Sequence, residues 1–185
     1  MIKIKLKDYI KESQSNKYEV YHCSNVKFNR FDLSKITNLQ GDLYGKGFYF
    51  SDNLEYCKSF GKYIYRCSIT LNKPLDLTND IVASKQLNSL LELIKNGSEI
   101  DLDHIKSCIK NKSFTTAFRL IRKYISFETL SNLYDGVIGY CEQGGKEYVV
   151  YNPDNIKIKN VEMIKNFDDL ISSMKTNLLM MHLIK

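Results

Sequence analysis

The sequence predicts an α+β fold, on three observations. Strand-like segments rich in β-branched and aromatic residues lie towards both ends, helical apolar spacing fills the middle, and the last strand pair is joined through a glycine-containing tight loop. With 185 residues, 43% of them hydrophobic and 26% charged, the chain suits one globular domain spanning 1–185 with a buried core. Residues 1–15 form a candidate loose arm, and no repeat, low-complexity tract or Pro/Gly/Ser linker divides the rest.

The first strand is expected over residues 18–23, Tyr-Glu-Val-Tyr-His-Cys, ending near His22, with apolar anchors Phe28 and Phe31 in the polar loop that follows. Gly41, Gly45 and Gly47 then punctuate the chain before a short aromatic strand at Phe48, Tyr49 and Phe50. Asp52 with Glu55 three residues later has the form of a capping box, so a short helix is expected from Asn53 towards Gly61. Residues 63–71 give a longer strand that Lys73-Pro74 ends.

Over residues 82–125 the spacing turns helical. Leu87, Leu90, Leu91 and Ile94 share one face, and Phe114, Ala117, Phe118, Ile121 and Ile125 share another, so two or three inserted helices are expected. Strands return at Gly136–Cys141 and Glu147–Tyr151, joined through Gln143-Gly144-Gly145 as antiparallel neighbours. A further strand is expected at 156–164, and the apolar face of 167–183 suits a C-terminal helix.

Composition narrows the function classes. The net charge of +6 is mild and its lysines are scattered, which favours acidic partners without marking a nucleic-acid patch. Five cysteines, an odd number without CxxC spacing, read as free thiols rather than a disulfide framework or a zinc site. His22, His104 and His182 lack metal-ligand spacing, so no metal is expected. Without a signal-like apolar stretch or a run of about 18 apolar residues, a cytoplasmic protein with no membrane association is expected. Gly45-Lys46-Gly47 lacks a third glycine, precedes a strand and is followed by no Ser or Thr, which excludes dinucleotide-fold and P-loop readings.

Taken singly, His22 reads as a structural histidine, Phe48-Tyr49-Phe50 as core and Glu147 as an exposed strand residue. In combination they read differently. Tyr21-His22-Cys23-Ser24, Gly45-Lys46-Gly47-Phe48-Tyr49-Phe50-Ser51-Asp52 and Glu147-Tyr148-Val149-Val150-Tyr151 resemble the poly(ADP-ribose) polymerase-like branch of the ADP-ribosyltransferases, which carries His, Tyr and Glu in this order. The resemblance spans about residues 18–76 and 134–159, including Asn152-Pro153-Asp154-Asn155-Ile156-Lys157, and leaves the helical middle and the last helix unmatched. It implies a split antiparallel sheet and, as activity, transfer of ADP-ribose from NAD to a protein or nucleic-acid acceptor with release of nicotinamide.

The resemblance also implies roles. His22 would hydrogen-bond the adenosine ribose, and the backbone of Cys23, at a position usually Gly in the family, would hold the nicotinamide amide, with Ser24 matching the family's Ser or Thr. Tyr49 and Phe60 would sandwich the nicotinamide ring, and Cys57 stands where several relatives place a serine on the carboxamide. Glu147 would accept a hydrogen bond from the nicotinamide ribose and stabilise the oxocarbenium-like charge of the transition state. The loop before it, Glu142–Lys146, would help select the acceptor through Gln143, Gly145 and Lys146. Gly145 stands where arginine-directed members carry Glu or Gln.

Single ADP-ribose addition is favoured over polymer synthesis, because nothing suggests a site for a growing chain. An NAD glycohydrolase toxin and a catalytically silent module that binds NAD or nucleic acid stay open as alternatives. The small size fits, by analogy, a phage or toxin-type effector with a possible neutralising partner protein.

Overall fold

The computed structural model describes residues 16–36, 43–94, 100–141 and 143–165. The candidate arm and the expected C-terminal helix lie outside the described residues. The strands are β1 (Lys17–Ser24), β2 (Phe48–Ser51), β3 (Tyr63–Thr70), β4 (Pro74–Asp76), β5 (Gly136–Tyr140), β6 (Lys146–Val150) and β7 (Ile156–Met163). The helices are α1 (Leu54–Lys58), α2 (Asp80–Ile94), α3 (Leu102–Lys110), α4 (Phe114–Ile121) and α5 (Phe127–Leu133). One seven-stranded sheet runs in the order β4-β5-β6-β2-β1-β3-β7. The fold is α+β, as the alternation of strand and helix periods predicts.

All neighbours in the sheet are antiparallel except β4 and β5, which pair in parallel from Pro74↔Gly136 to Asp76↔Ile138. β4 departs from the expectation that Pro74 only terminates a strand. It is an edge strand with proline as its first residue, where a missing N–H is tolerated. β5 and β6 form the expected antiparallel pair. The pairing that shapes the site is β1 with β2. Only Tyr21↔Ser51 is in register there, whereas β1 pairs with β3 along its whole length, from Lys17↔Thr70 to Ser24↔Tyr63. The sheet is split at β1/β2, and β1 runs two residues past His22 because β3 supports it to the end.

Period-2 alternation sorts the residues of β2 and β6 onto two faces. Tyr49 and Val149 join the cluster built from α2, α3, α4 and α5, with Tyr44, Leu87, Phe118 and Ile121 among its buried members. Phe48, Phe50, Tyr148 and Val150 join the opposite cluster, with Val20, Phe31, Tyr65 and Ile69. A third cluster, Cys23, Cys57 and Ile64, lies where α1 covers β1 and β3. The split thus falls between the part of the sheet covered by the helical block and the part covered by α1.

Two local expectations are corrected. α1 is capped by Asn53, whose side chain accepts from the Tyr56 N–H, and Asp52 caps nothing in the helix. Its carboxylate is taken by the Lys146 N–H at 2.7 Å. The helical middle also extends past residue 125, because Ser126 caps α5 by accepting from the Thr129 N–H. The described cysteines are all free and buried. Among the described residues, no helix is long and apolar enough to cross a membrane and no cluster of His, Cys, Asp or Glu suited to a metal ion occurs.

Candidate active site

The sheet order β6-β2-β1 places Glu147, Tyr49 and His22 on three adjacent strands. The register Ser51↔Glu147 and Tyr49↔Val149 puts Tyr49, Ser51 and Glu147 on one face. Among the described residues, Ser51 and Glu147 are the polar or charged side chains that are buried, at 4% and 8% exposure, and they stand directly opposite each other. Carboxylates are almost never buried unless partnered or functional, so sequence reasoning that took Glu147 alone as an exposed strand residue is overturned by its surroundings. The carboxylate's charge reaches two neighbours. Burial first, with Glu147 adding to it, pushes up both the Tyr44 phenol and the Cys141 thiol.

Tyr49 is half-buried and its hydroxyl is fully engaged. It donates to the Gly45 carbonyl at 2.7 Å and accepts from the Tyr44 N–H at 3.2 Å. The phenol is thereby fixed at its tip. Phe60, at the end of the turn that follows α1, is 55% exposed, with Tyr56 edge-on at 5.0 Å.

His22 sits differently from the other two. Its ring lies on the Phe50 and Tyr65 face, boxed by Phe28, Phe31, Phe50 and Tyr65 with centroids 5.1 to 5.9 Å away. Where β1 and β2 part, the imidazole bridges them, with Nδ1 2.8 Å from the Tyr49 carbonyl. A carbonyl only accepts, so Nδ1 carries the proton and the neutral ring keeps a lone pair on Nε2. Desolvation pushes the His22 pKa below the ordinary histidine value, against the raising effect of that carbonyl.

The sign of the resulting pH dependence follows from this shift. An unfolded histidine takes up its proton near about pH 6.5, while folded His22 resists it, so below that pH the unfolded state binds more protons and stability falls. The Tm of the protein is expected to drop between pH 7 and 5, and the His22→Asn variant is expected to show a shallower drop. Equal slopes would remove His22 as the cause.

The thiols of Cys23 and Cys57, at 7% and 4% exposure, face each other under α1. The neighbouring Cys23 thiol, then desolvation, pushes the Cys57 thiol strongly up, so Cys57 stays protonated and inert. The Cys23 side chain is thereby directed into the α1 cluster. Ser24 closes the strand by accepting the Val26 N–H at 3.1 Å.

The loop before Glu147 is held by residues that sequence reasoning missed. The Ser51 hydroxyl donates to the Lys146 carbonyl at 3.0 Å, and the Asp52 N–H reaches the same oxygen at 3.2 Å. The Asn53 side chain donates to the Gly144 carbonyl at 3.0 Å. Gly145 has φ +90°, a conformation that side chains rarely adopt, and a Cβ there would lie 2.6 Å from Asp52 Oδ1. The glycine is required by the loop geometry. Polar Ser-Asp-Asn after an aromatic strand is the sequence signal for these contacts.

A family model described as ADP-ribosyltransferase in polyvalent proteins matches residues 13–163. The chain belongs to this ADP-ribosyltransferase family. Such enzymes use NAD as substrate, and the seven-stranded sheet with its helices is an α+β fold of the ADP-ribosyltransferase type. No curated protein sequence matches this ADP-ribosyltransferase chain. A solved structure described as "Crystal structure of an anti-CRISPR protein" is 17% identical, covering 81% of this chain and 97% of that chain with a TM-score of 0.41.

A groove of about 670 Å³ lies elsewhere, between Asn29–Leu33 and Pro153–Ile158. It does not include Tyr49 or Glu147, but its wall residue Phe31 also packs on the His22 ring.

Proposed function

We propose that this chain is a mono-ADP-ribosyltransferase that moves ADP-ribose from NAD to a protein or nucleic-acid acceptor. The observation that carries the reading is the buried Glu147 carboxylate opposite Ser51, on the face that Tyr49 shares, beside the split between β1 and β2. In the reaction the bond between C1′ of the ribose and the nicotinamide nitrogen breaks, and nicotinamide leaves with the electron pair. The acceptor's nucleophilic atom bonds to C1′ and gives up a proton. Glu147 stabilises the positive charge that builds on the ribose as the bond breaks, and water exclusion around it strengthens that effect.

The ring faces of Tyr49 and Phe60 hold the nicotinamide, and the Cys23 backbone with Ser24 lines the end of β1 beside it. The lone pair of His22 Nε2 accepts from a hydroxyl of the adenosine ribose. A ligand lying in the split reaches His22 on one face of the sheet and Glu147 on the other, which explains how residues pointing to opposite faces serve one molecule. No metal enters this chemistry as proposed. Cys57, buried with Cys23 under α1, takes a packing role in place of a carboxamide contact.

The test is incubation of the purified protein with labelled NAD, alone and with cell extract, reading released nicotinamide and label on macromolecules. Label on a protein or nucleic acid is the expected result. Nicotinamide release without labelling would make the protein an NAD glycohydrolase, and absence of both would leave a silent binding module.

A further inference from the structure

The contacts around the loop before Glu147 point to a specific device, and we propose that Asp52 and Asn53 are positioning residues that fix the acceptor side of the site. The inference rests on the transferase reading above. Asp52 Oδ1 accepts the Lys146 N–H at 2.7 Å, one residue before the carboxylate bearer. Asn53 uses both ends of its amide. Its Oδ1 caps α1 by accepting the Tyr56 N–H at 3.1 Å, and its Nδ2 donates to the Gly144 carbonyl at 3.0 Å. The helix leading to Phe60 and the loop preceding Glu147 are thus joined through a single side chain.

The loop adds its own ties. The Cys141 thiol donates to the Gly144 carbonyl at 2.6 Å, and the Cys141 N–H donates to the Gly145 carbonyl at 3.2 Å. Gly145, with no side chain, lets Asp52 press against the loop backbone. Asp52 and Asn53 therefore set where Gln143, Gly144 and Gly145 stand, all three exposed. Loosening the clamp leaves Glu147 on its strand, which the ladders to β2 and β5 hold, and frees the acceptor side. Water, which needs no positioning surface, then competes better against the macromolecule.

The decisive readout is the ratio of label transferred to nicotinamide released, measured with labelled NAD and cell extract. In Asp52→Ala the ratio is expected to fall about 10- to 100-fold, the size of effect that misplacement by about 1 Å produces. Gly145→Ala, which drives a Cβ into Asp52 from the opposite side, is expected to lower it likewise. Asp52→Asn keeps an oxygen for the Lys146 N–H and is expected to restore the wild-type ratio. An Asp52→Ala ratio equal to wild type, or an Asn variant as impaired as the Ala variant, overturns the clamp while leaving the transferase reading intact. A wild type that releases nicotinamide without labelling anything overturns the clamp's purpose, and a wild type that releases none overturns both readings together.

Discussion

Glu147→Gln is expected to lower NAD turnover by about 10² to 10³, the usual loss when one preorganised group facing transition-state charge is removed. The amide has nearly the shape of the carboxylate, and the residue is held in a strand paired on both sides, to Ser51 and to Gly139. The substitution therefore removes the charge with little change of position. Because the positive charge on the ribose develops mainly as the glycosidic bond breaks, the loss should fall on kcat more than on KM for NAD. Initial rates of nicotinamide release over a range of NAD concentrations check both parameters. A turnover within a few-fold of wild type would withdraw Glu147 from the chemistry.

The second large effect is expected from Gly61→Ala, through packing alone. An added Cβ would lie 2.2 Å from the Ser24 carbonyl carbon and 2.6 Å from both the Ser24 Cα and the Asn25 nitrogen. These are backbone atoms, so no side-chain rotation relieves the clash. Either α1 lifts from β1 or the end of β1 shifts, at a cost of about 1–3 kcal/mol for overpacking. For a chain of this size each kcal/mol lowers Tm by roughly 2–4 °C. The displaced segment is the one that carries Cys23 and Ser24, so KM for NAD should rise together with the loss of stability. Thermal melts and KM on the same preparation test it, and an unchanged Tm would show that the contact between Gly61 and β1 is looser than described.

Much of this architecture is legible in the sequence because it rests on local periodicity. The runs around Tyr21, Phe50, Tyr65, Ile138 and Val149 are strands on their composition alone, and the apolar stripes of residues 80–121 fall on buried helix faces. What the sequence did not disclose depends on register. Alternation shows that His22 and Val20 share a face, but which face Glu147 shares with Tyr49 follows only from Ser51↔Glu147 and Tyr21↔Ser51. β4 is too short to announce itself, and its partner β5 lies some sixty residues on. The Cys23–Cys57 contact and the Asp52–Lys146 bond likewise join segments that no local pattern links. The role of Asp52 was misread for a physical reason. An Asp before a helix has two candidate partners, the helix N–H groups and any strand neighbour, and only the fold decides between them.

The parallel pairing of β4 with β5 sets the strand that leads into the helical block beside the strand that receives the chain from it. From Asp76 the chain leaves the sheet, and at Gly136 it returns to the strand next door. The block is therefore an excursion, a detour whose two flanking strands are already stitched together. Doubling the length of a flexible excursion costs only about 0.6 kcal/mol of closure entropy. Relatives of this protein can thus lengthen, shorten or refashion the detour without moving Tyr49 or Glu147, provided that some apolar surface still lies over Val137 and Val149. In a fold whose strands carry the candidate site, this is where new surface is easiest to acquire.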